Sequence, residues 1–501
     1  MPIVSSMTGQ VLDDVYVIEV DSASSITGVA TGIVGMVGFF QQGIPTAIYT
    51  LADYSTAVRH FGKSTVDIGG PIAIQNLVRQ GAGEIKVVPC FGDGAAAASY
   101  TLYDSQTTPA EMGTITAARE HPQTGIMTEL YGTKPNAMTI KITSPSTAND
   151  TFNMTITASS SLTETYTGLS PDTWADTINA DSSIVIVTLP DSPSTNLPAA
   201  GTYSFSGGSC GTLSTTAEKD AALIGDTDED TGNKTGLALL ATTIVNLVFG
   251  AEYYSDTFNS ELVDFASDHY CIAAVCIKPK ATVEVTESAA EAISEDNVVF
   301  CDGWCVLYDS DLDTNRNCAP TALVIGMASA LDPQKSWGNK KLKSIVSLVT
   351  PRTRSELAEL QSAGALCIHN AIPRGGNGTR SGVASDGSEI YVRRMRYYLE
   401  FSIMDSMGWA VDELQSTQSD DVLRGDIKST INTFLEGLVD DSVIDSYLVT
   451  CDLTNNTSST IAAGKLYVTV KVRLLAAAKY IIISIEASTS TVTTSSTTSS
   501  S

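Results

Sequence analysis

ITGVATGIVGMVGFF (26–40), LADYSTAVRHFG (51–62) and PIAIQNLVRQGAGEIKVVPC (71–90) decide the fold. The first is apolar and punctuated by glycine, the pattern of a buried strand flanked by tight turns. The second has helical spacing and stops at Gly62, a residue suited to a helix end. In the third, Pro71 stands where a helix can begin. An apolar period near four follows, and Gly81 and Gly83 end it before a short buried strand. Together they predict an α/β unit.

Working outward, the composition shifts between about Ala95 and Asn233 to Thr, Ser, Asn and Gly. Short alternating segments such as MTIKIT (138–143), FNMTIT (152–157) and SIVIVTL (183–189) are separated by turn residues, which predicts an inserted β-rich domain. Helix and strand patterns then alternate again in GLALLATTIVNLVFGA (236–251), SELVDFASDHYCIAAVCIKP (260–279), TESAAEAISEDNVVFCDGWCVLYD (286–309) and APTALVIGMASALD (319–332). Several apolar strands separated by amphipathic helices imply a sheet covered on both faces. From Ile390 two helical patterns, YVRRMRYYLEFSIMDSMGWAVDEL (391–414) and DDVLRGDIKSTINTFLEGLVDD (420–441), precede strand patterns SYLVTCDL, GKLYVTVKVRLL and KYIIISIEA.

The expected fold class is an α/β core with helices on both faces of a sheet, a β-rich inserted domain, and an α+β C-terminal domain with extended terminal strands. The expected division is an arm at 1–25, core at 26–94 and 234–389, insertion at 95–233, closing domain at 390–487, and a Ser/Thr tail at 488–501 with nothing to bury.

The chain has 501 residues, with 29 Lys and Arg against 56 Asp and Glu, a net charge of −27. A surface of that sign repels phosphate backbones and anionic lipid, so direct nucleic-acid or membrane binding is not expected. With 43% hydrophobic and 17% charged residues, the chain reads as ordered and able to bury large cores. Neither a secretion signal nor an apolar run near the ~20 residues of a membrane span is expected. Nine cysteines, an odd number scattered through apolar runs, suit synthesis in a reducing cytoplasm.

Several patterns imitate chemical sites. AVRHFGKST (57–65) fits a relaxed phosphate loop, with VVFCD ending at Asp302 as an acidic partner, but bulky Val58, Arg59, His60 and Phe61 continue a helix that Gly62 ends. Gly32, Gly35 and Gly38 are spaced as GxxGxxG, which suits a tightly packed strand better than a dinucleotide fingerprint. Asp226, Asp228 and Asp230, and Asp309, Asp311 and Asp313, imitate the start of a calcium loop; they read as acidic surface loops. Cys271, Cys276, Cys301 and Cys305 lack a histidine at zinc-ligand spacing and read as buried thiols. The four histidines, His60, His121, His269 and His369, lie in unrelated segments, and no nucleophile sits in an elbow-like turn. No cofactor, metal or catalytic constellation is expected.

VYVIEVDSASSITGVATGIVGMVGFFQQGIPTAIYTLADYSTAVRHFG (15–62), IQNLVRQGAGEIKVVPC (74–90) and the run from YVRRMRYYLEFSI through INTFLEGLVDDSVIDSYLVTCDLTNNT to GKLYVTVKVRLLAAAKYIIISIEA resemble, in order and spacing, the contractile tail sheath proteins of bacteriophages and related injection machines. The resemblance implies a structural subunit that polymerises around an inner tube and contracts to drive the tube through a cell envelope. It implies as partners other copies of the chain, the tube protein, and baseplate and tail terminator proteins. The implied location is the virion tail, assembled in a host cytoplasm. Rival readings are a nucleotide-binding α/β enzyme with a β-rich insertion, and a tail-fibre or adhesin-like module.

A sheath subunit must hold its neighbours through a large rotation, which extended strands on flexible linkers can do. The β-prone ends supply candidates: Val15, Tyr16, Val17, Ile18 and Val20, and Tyr480, Ile481, Ile482, Ile483 and Ile485. In so acidic a chain, Arg393, Arg394 and Arg396 are expected to meet carboxylates of neighbouring subunits. On 420–441, Val422, Leu423, Ile427, Ile431, Phe434, Leu435 and Leu438 form one apolar stripe. Asp420, Asp421, Arg424 and Lys428 then lie on the polar side, as candidates for the tube contact that the resemblance implies.

Overall fold

The computed structural model describes residues 3–4, 17–18, 25–146, 150–479 and 481–483. The chain divides into two units, Ile26–Val411 and Asp412–Ser501 with Met1–Ser25.

The larger unit is built on a mixed sheet of eight strands in the order Gly378–Thr379, Ala365–His369, Val298–Asp302, Ile272–Cys276, Leu247–Gly250, Ile33–Phe39, Glu84–Cys90 and Tyr49–Leu51. The six inner strands are parallel and the two edge strands antiparallel. Alternate residues split cleanly between two cores. Leu247, Phe249, Ile272, Ala274, Val299 and Cys301 face one. Val248, Ala273, Val275, Val298 and Phe300 face the other. Helices Gly70–Gln80 and Pro320–Ser329 cover the first face, and Asp256–Asp268 and Arg354–Ser362 the second, so these strands read as continuous apolar runs. Pro320–Ser329 is apolar all round because it is buried all round. A Cβ on its Gly326 would stand 3.0 Å from the Cα of Leu77, so glycine is what lets the two helices of that face touch.

The chain leaves Ile33–Phe39 first toward Glu84–Cys90 and returns on the other side at Leu247–Gly250, the reversal that opens a crevice in doubly wound sheets. The acidic groups around the strand ends are engaged within the fold. Asp302 accepts from Arg352 Nε at 3.0 Å and Nη2 at 3.2 Å, both residues being buried. Asp309 pairs with Arg316 at 3.3 Å and accepts from Ser64 Oγ at 2.6 Å. Asp311 accepts from Ser64 N at 2.8 Å, and Asp313 accepts from Tyr308. Gly62, at φ +90°, ends the helix Tyr54–Phe61, and Lys63 is exposed. The residues of the phosphate-loop imitation thus serve a helix end and a buried polar network. Among the described residues no group of three His, Cys, Asp or Glu is placed to hold a metal ion, and no helix is long and apolar enough to cross a membrane.

Glu252 follows the strand Leu247–Gly250. One carboxyl oxygen accepts from Ala319 N at 2.7 Å and the other is buried without a partner. Burial pushes this carboxyl up to about 8, with Asp309 adding to the rise and the Ala319 N–H and Arg316 opposing it. The native chain therefore keeps a proton that the unfolded chain loses near 4.5. The contribution of Glu252 to stability should fall by roughly 1.4 kcal/mol per pH unit as pH rises between those two values, and it shows most plainly above 6.5, because below that His60, pushed down to about 4 by burial, contributes the opposite slope. Glu252→Gln should flatten that slope in urea unfolding followed across pH; an unchanged slope would contradict a protonated Glu252.

The insertion comprises two antiparallel four-stranded sheets. One contains Glu111–Glu120 between Ser99–Tyr103 and Val185–Thr188, with Met127–Glu129 added to it; the other runs Leu162–Leu169, Thr151–Ser159, Thr139–Ser146, Gly201–Ser204. Its two chain ends lie side by side, with Asp93 opposite Thr212, Ala96 opposite Ser209 and Ser99 opposite Ser206. It closes near Thr212 rather than Asn233. Beyond it, helix Thr216–Ile224, started by a reciprocal Thr215–Glu218 cap, buries Leu223 in the second core. The insertion is also strapped down: Tyr131–Gly132 pairs with Gln42–Gly43, and Gln123 bonds both backbone groups of Ile48.

Helix Ile390–Ser406, expected to open the closing domain, packs on segments of the larger unit. Its Ser402 hydroxyl accepts from Val29 N at 3.1 Å, and its buried Arg394 donates to Thr31 O at 3.0 Å. The division falls at Val411 because the helix spends its buried face on the segment that leads into Ile33–Phe39.

In the smaller unit, Val422–Asp440 buries Leu423, Ile427, Ile431, Leu435 and Leu438. The neighbouring strand Ile444–Thr450, paired antiparallel with Thr469–Leu474, buries Ile444 and Val449.

Candidate functional site

The feature that sets the smaller unit apart is its ribbon. Among the described residues Ile444–Thr450 and Thr469–Leu474 pair only with each other. Two strands are marginal alone, and each outer edge presents a row of unpaired N–H and C=O groups. Thr469–Leu474 alternates exposed and half-buried positions, so one face rests on the module while the other stays open. The chain beyond is apolar and uncovered: Ile481, Ile482 and Ile483 are 83%, 88% and 75% exposed. At the other end, Val17–Ile18 pairs in parallel with Ile3–Val4. Val15, Tyr16, Val20, Tyr480 and Ile485 lie outside the described residues.

The three arginines of the long helix have different fates. Arg393 is half-buried, bonds Asp296 at 3.3 Å and lies 4.7 Å over the Tyr397 ring. Arg394 is buried, and burial holds its guanidinium down at about 10. It cannot reach a neighbouring subunit without leaving the core, which corrects the expectation of an inter-subunit contact there. Arg396 is exposed.

The helix 422–440 brings a second correction. Arg424, expected on the polar face, is 2% exposed. Its guanidinium donates to Ser416 O at 2.6 Å and to Gln418 O, and it pairs with Asp421 at 3.4 Å. Asp421 caps the helix, accepting from Arg424 N at 3.1 Å, and also takes Ser416 N at 2.7 Å. Both residues hold the loop before the helix. Val422, expected in the apolar stripe, is 73% exposed. Asp420 is exposed and Lys428 half-buried, so these two alone of the four present charge outward. The readable signal for the clamp was an acidic cap three residues before an arginine, next to a loop rich in backbone acceptors.

Residues 384–488 match the family model of the phage tail sheath C-terminal domain. No curated protein matches the sequence. Among solved structures, a sheath tail protein of Listeria innocua is similar with a TM-score of 0.60 at 13% identity, over 90% of this chain and 97% of that one. A sheath tail protein of Desulfitobacterium hafniense gives 0.58 at 14%, over 91% and 100%. The contracted helical sheath of the anti-feeding prophage gives 0.55 at 13%, over 96% and 99%. The shared property at such identities is the fold, and it runs nearly the whole length of the chain. Residues 384–488 thus match the phage tail sheath C-terminal domain, within a chain whose mixed α/β fold is similar to that of sheath proteins.

Proposed function

We propose that the chain is the structural subunit of a contractile sheath that surrounds an inner tube and shortens to drive it through a target cell envelope. The observation that carries this reading is the open two-stranded ribbon inside the sheath-family domain. Strands from neighbouring copies complete it, and main-chain hydrogen bonds give each joint its strength. The linkers beside those strands absorb the rotation of each subunit while the joints stay closed. The work is mechanical: an extended polymer held in a metastable packing relaxes to a lower one, and no bond of a substrate is broken.

The remaining surfaces take their parts in this picture. Arg396, the exposed one of the three, meets carboxylates of adjacent copies, while Arg393 is held by Asp296 of its own chain, and Asp420 and Lys428 face the tube. Solvated pairs of ~0–1 kcal/mol each, repeated around a ring, hold the tube yet release it. The insertion, tethered by adjacent chain ends, faces outward. Baseplate and terminator proteins close the two ends of the polymer, and the assembly belongs to a virion tail or a related particle. Concentration-dependent pelleting of the purified chain tests the reading. Fast-sedimenting polymer is expected, and a chain that stays monomeric up to high concentration contradicts it.

A further inference from the structure

One cavity of the larger unit is not absorbed by this function. It measures about 1030 Å³ and lies between helix Tyr54–Phe61 and the insertion, walled by Val58, Met138 and Leu162. Arg119 is half-buried in it, and Arg59 and Lys134 stand exposed around it. These cations act on one another and on nearby Lys63. The Arg119 guanidinium is lowered by burial and by Arg59, and the Lys134 ammonium by burial, Arg119 and Lys63. His60, in the same wall, is pushed down to about 4 by burial and then by Arg119 and Arg59, so it adds no charge at neutral pH. Among the described residues none of Arg59, Lys63, Arg119 and Lys134 forms an ion pair, and Glu120, the one carboxylate residue of the lining, pairs with none of them.

Three unneutralised cations lining one concavity, with Lys63 close by, are out of character in a chain of net charge −27. Like charges gathered at a partly desolvated site disfavour the isolated subunit and favour any anion that enters. In a polymer of this chain the anions at highest local concentration are carboxylates of the next copy. One exposed run is dense and already shaped. Asp226, Asp228, Glu229 and Asp230 sit on a hairpin closed by Asp228 N to Asn233 O at 2.8 Å and Thr235 N to Asp226 O at 3.0 Å. Asp228 is turned inward onto Thr231 N at 2.7 Å, which leaves Glu229 and Asp230 at the tip. We propose that the cavity bounded by Arg59, Arg119 and Lys134 receives Glu229 and Asp230 of a second copy of this chain. The proposal rests on the sheath reading and adds to it a specific joint away from the ribbon.

A charge swap in the full chain tests it, read by pelleting. Arg119→Glu with Lys134→Glu, and separately Glu229→Lys with Asp230→Lys, should each lower the pelleted fraction at least roughly tenfold, and all four changes together should restore it. The hairpin variant alters only exposed side chains, and Arg119→Gln with Lys134→Gln serves if the reversed cavity does not fold. Wild-type polymer with both reversals also polymerising at the wild-type salt dependence overturns the joint and leaves the sheath reading standing. A swap that fails to restore assembly overturns it as well. Inorganic phosphate raising the thermal midpoint of the wild type, but not of the Arg119/Lys134 variant, while the hairpin reversal assembles normally, reassigns the cavity to a free anion. A wild-type chain that never pellets removes the sheath reading and this joint with it.

Discussion

Removing residues 480–501 is expected to leave a folded chain that no longer polymerises. Ile481, Ile482 and Ile483 are almost fully exposed, so their loss takes little from the subunit's own stability. What disappears is the segment that, in the proposed strand exchange, completes a neighbour's ribbon. Each main-chain bond is worth about 0.5–1.5 kcal/mol net, so several lost per joint amount to a few kcal/mol, more than a hundredfold in every contact. Pelleted polymer should fall below detection while the thermal midpoint stays within a few degrees of wild type. Removing only 488–501, a tract of Ser and Thr apart from Val492, should change neither. Normal tubes from the longer truncation would sink the strand-exchange mechanism.

The second large effect is on stability. Arg424→Ala should destabilise the smaller unit by about 3–5 kcal/mol, because it strands Asp421 and two backbone carbonyls that the guanidinium now satisfies. Arg424→Lys should fall between the two, since an ammonium keeps the charge but loses the planar fork. Urea unfolding together with hydrogen exchange over 412–421 measures both consequences. A loss below about 0.5 kcal/mol, the range of an ordinary surface change, would contradict the clamp. For the same reason a charge reversal that includes Arg424 cannot probe the proposed tube contact. Reversing Asp420 and Lys428 alone can, and tube-templated assembly is the readout.

The legibility of the sequence follows from what each segment buries. The parallel strands were readable because burial on both faces makes them short apolar runs, and the helices because Gly62, Gly81 and Pro71 mark their ends. The close of the insertion was not. The stretch after Thr212 keeps the same Thr, Asp and Gly composition, and only the packing of Leu223 shows that it has rejoined the core. Arg394 and Arg424 were misplaced for a common reason. Periodicity assigns a charged residue to the wet side of a helix, whereas a long guanidinium can turn inward wherever backbone carbonyls wait for a donor. The cation-lined cavity had no local signal at all. Arg59, Arg119 and Lys134 are scattered over the core and the insertion, and only the strapping of one onto the other gathers them.

Helical reconstruction of the polymer by electron microscopy would show directly how neighbouring copies are joined. The ribbon Ile444–Thr450 with Thr469–Leu474 is expected to gain at least one further strand from a neighbouring copy, in density continuous with that copy's residues 480–485 or 15–20. A ribbon that remains two-stranded in a well-resolved sheath, with subunits joined only through side chains, would contradict it.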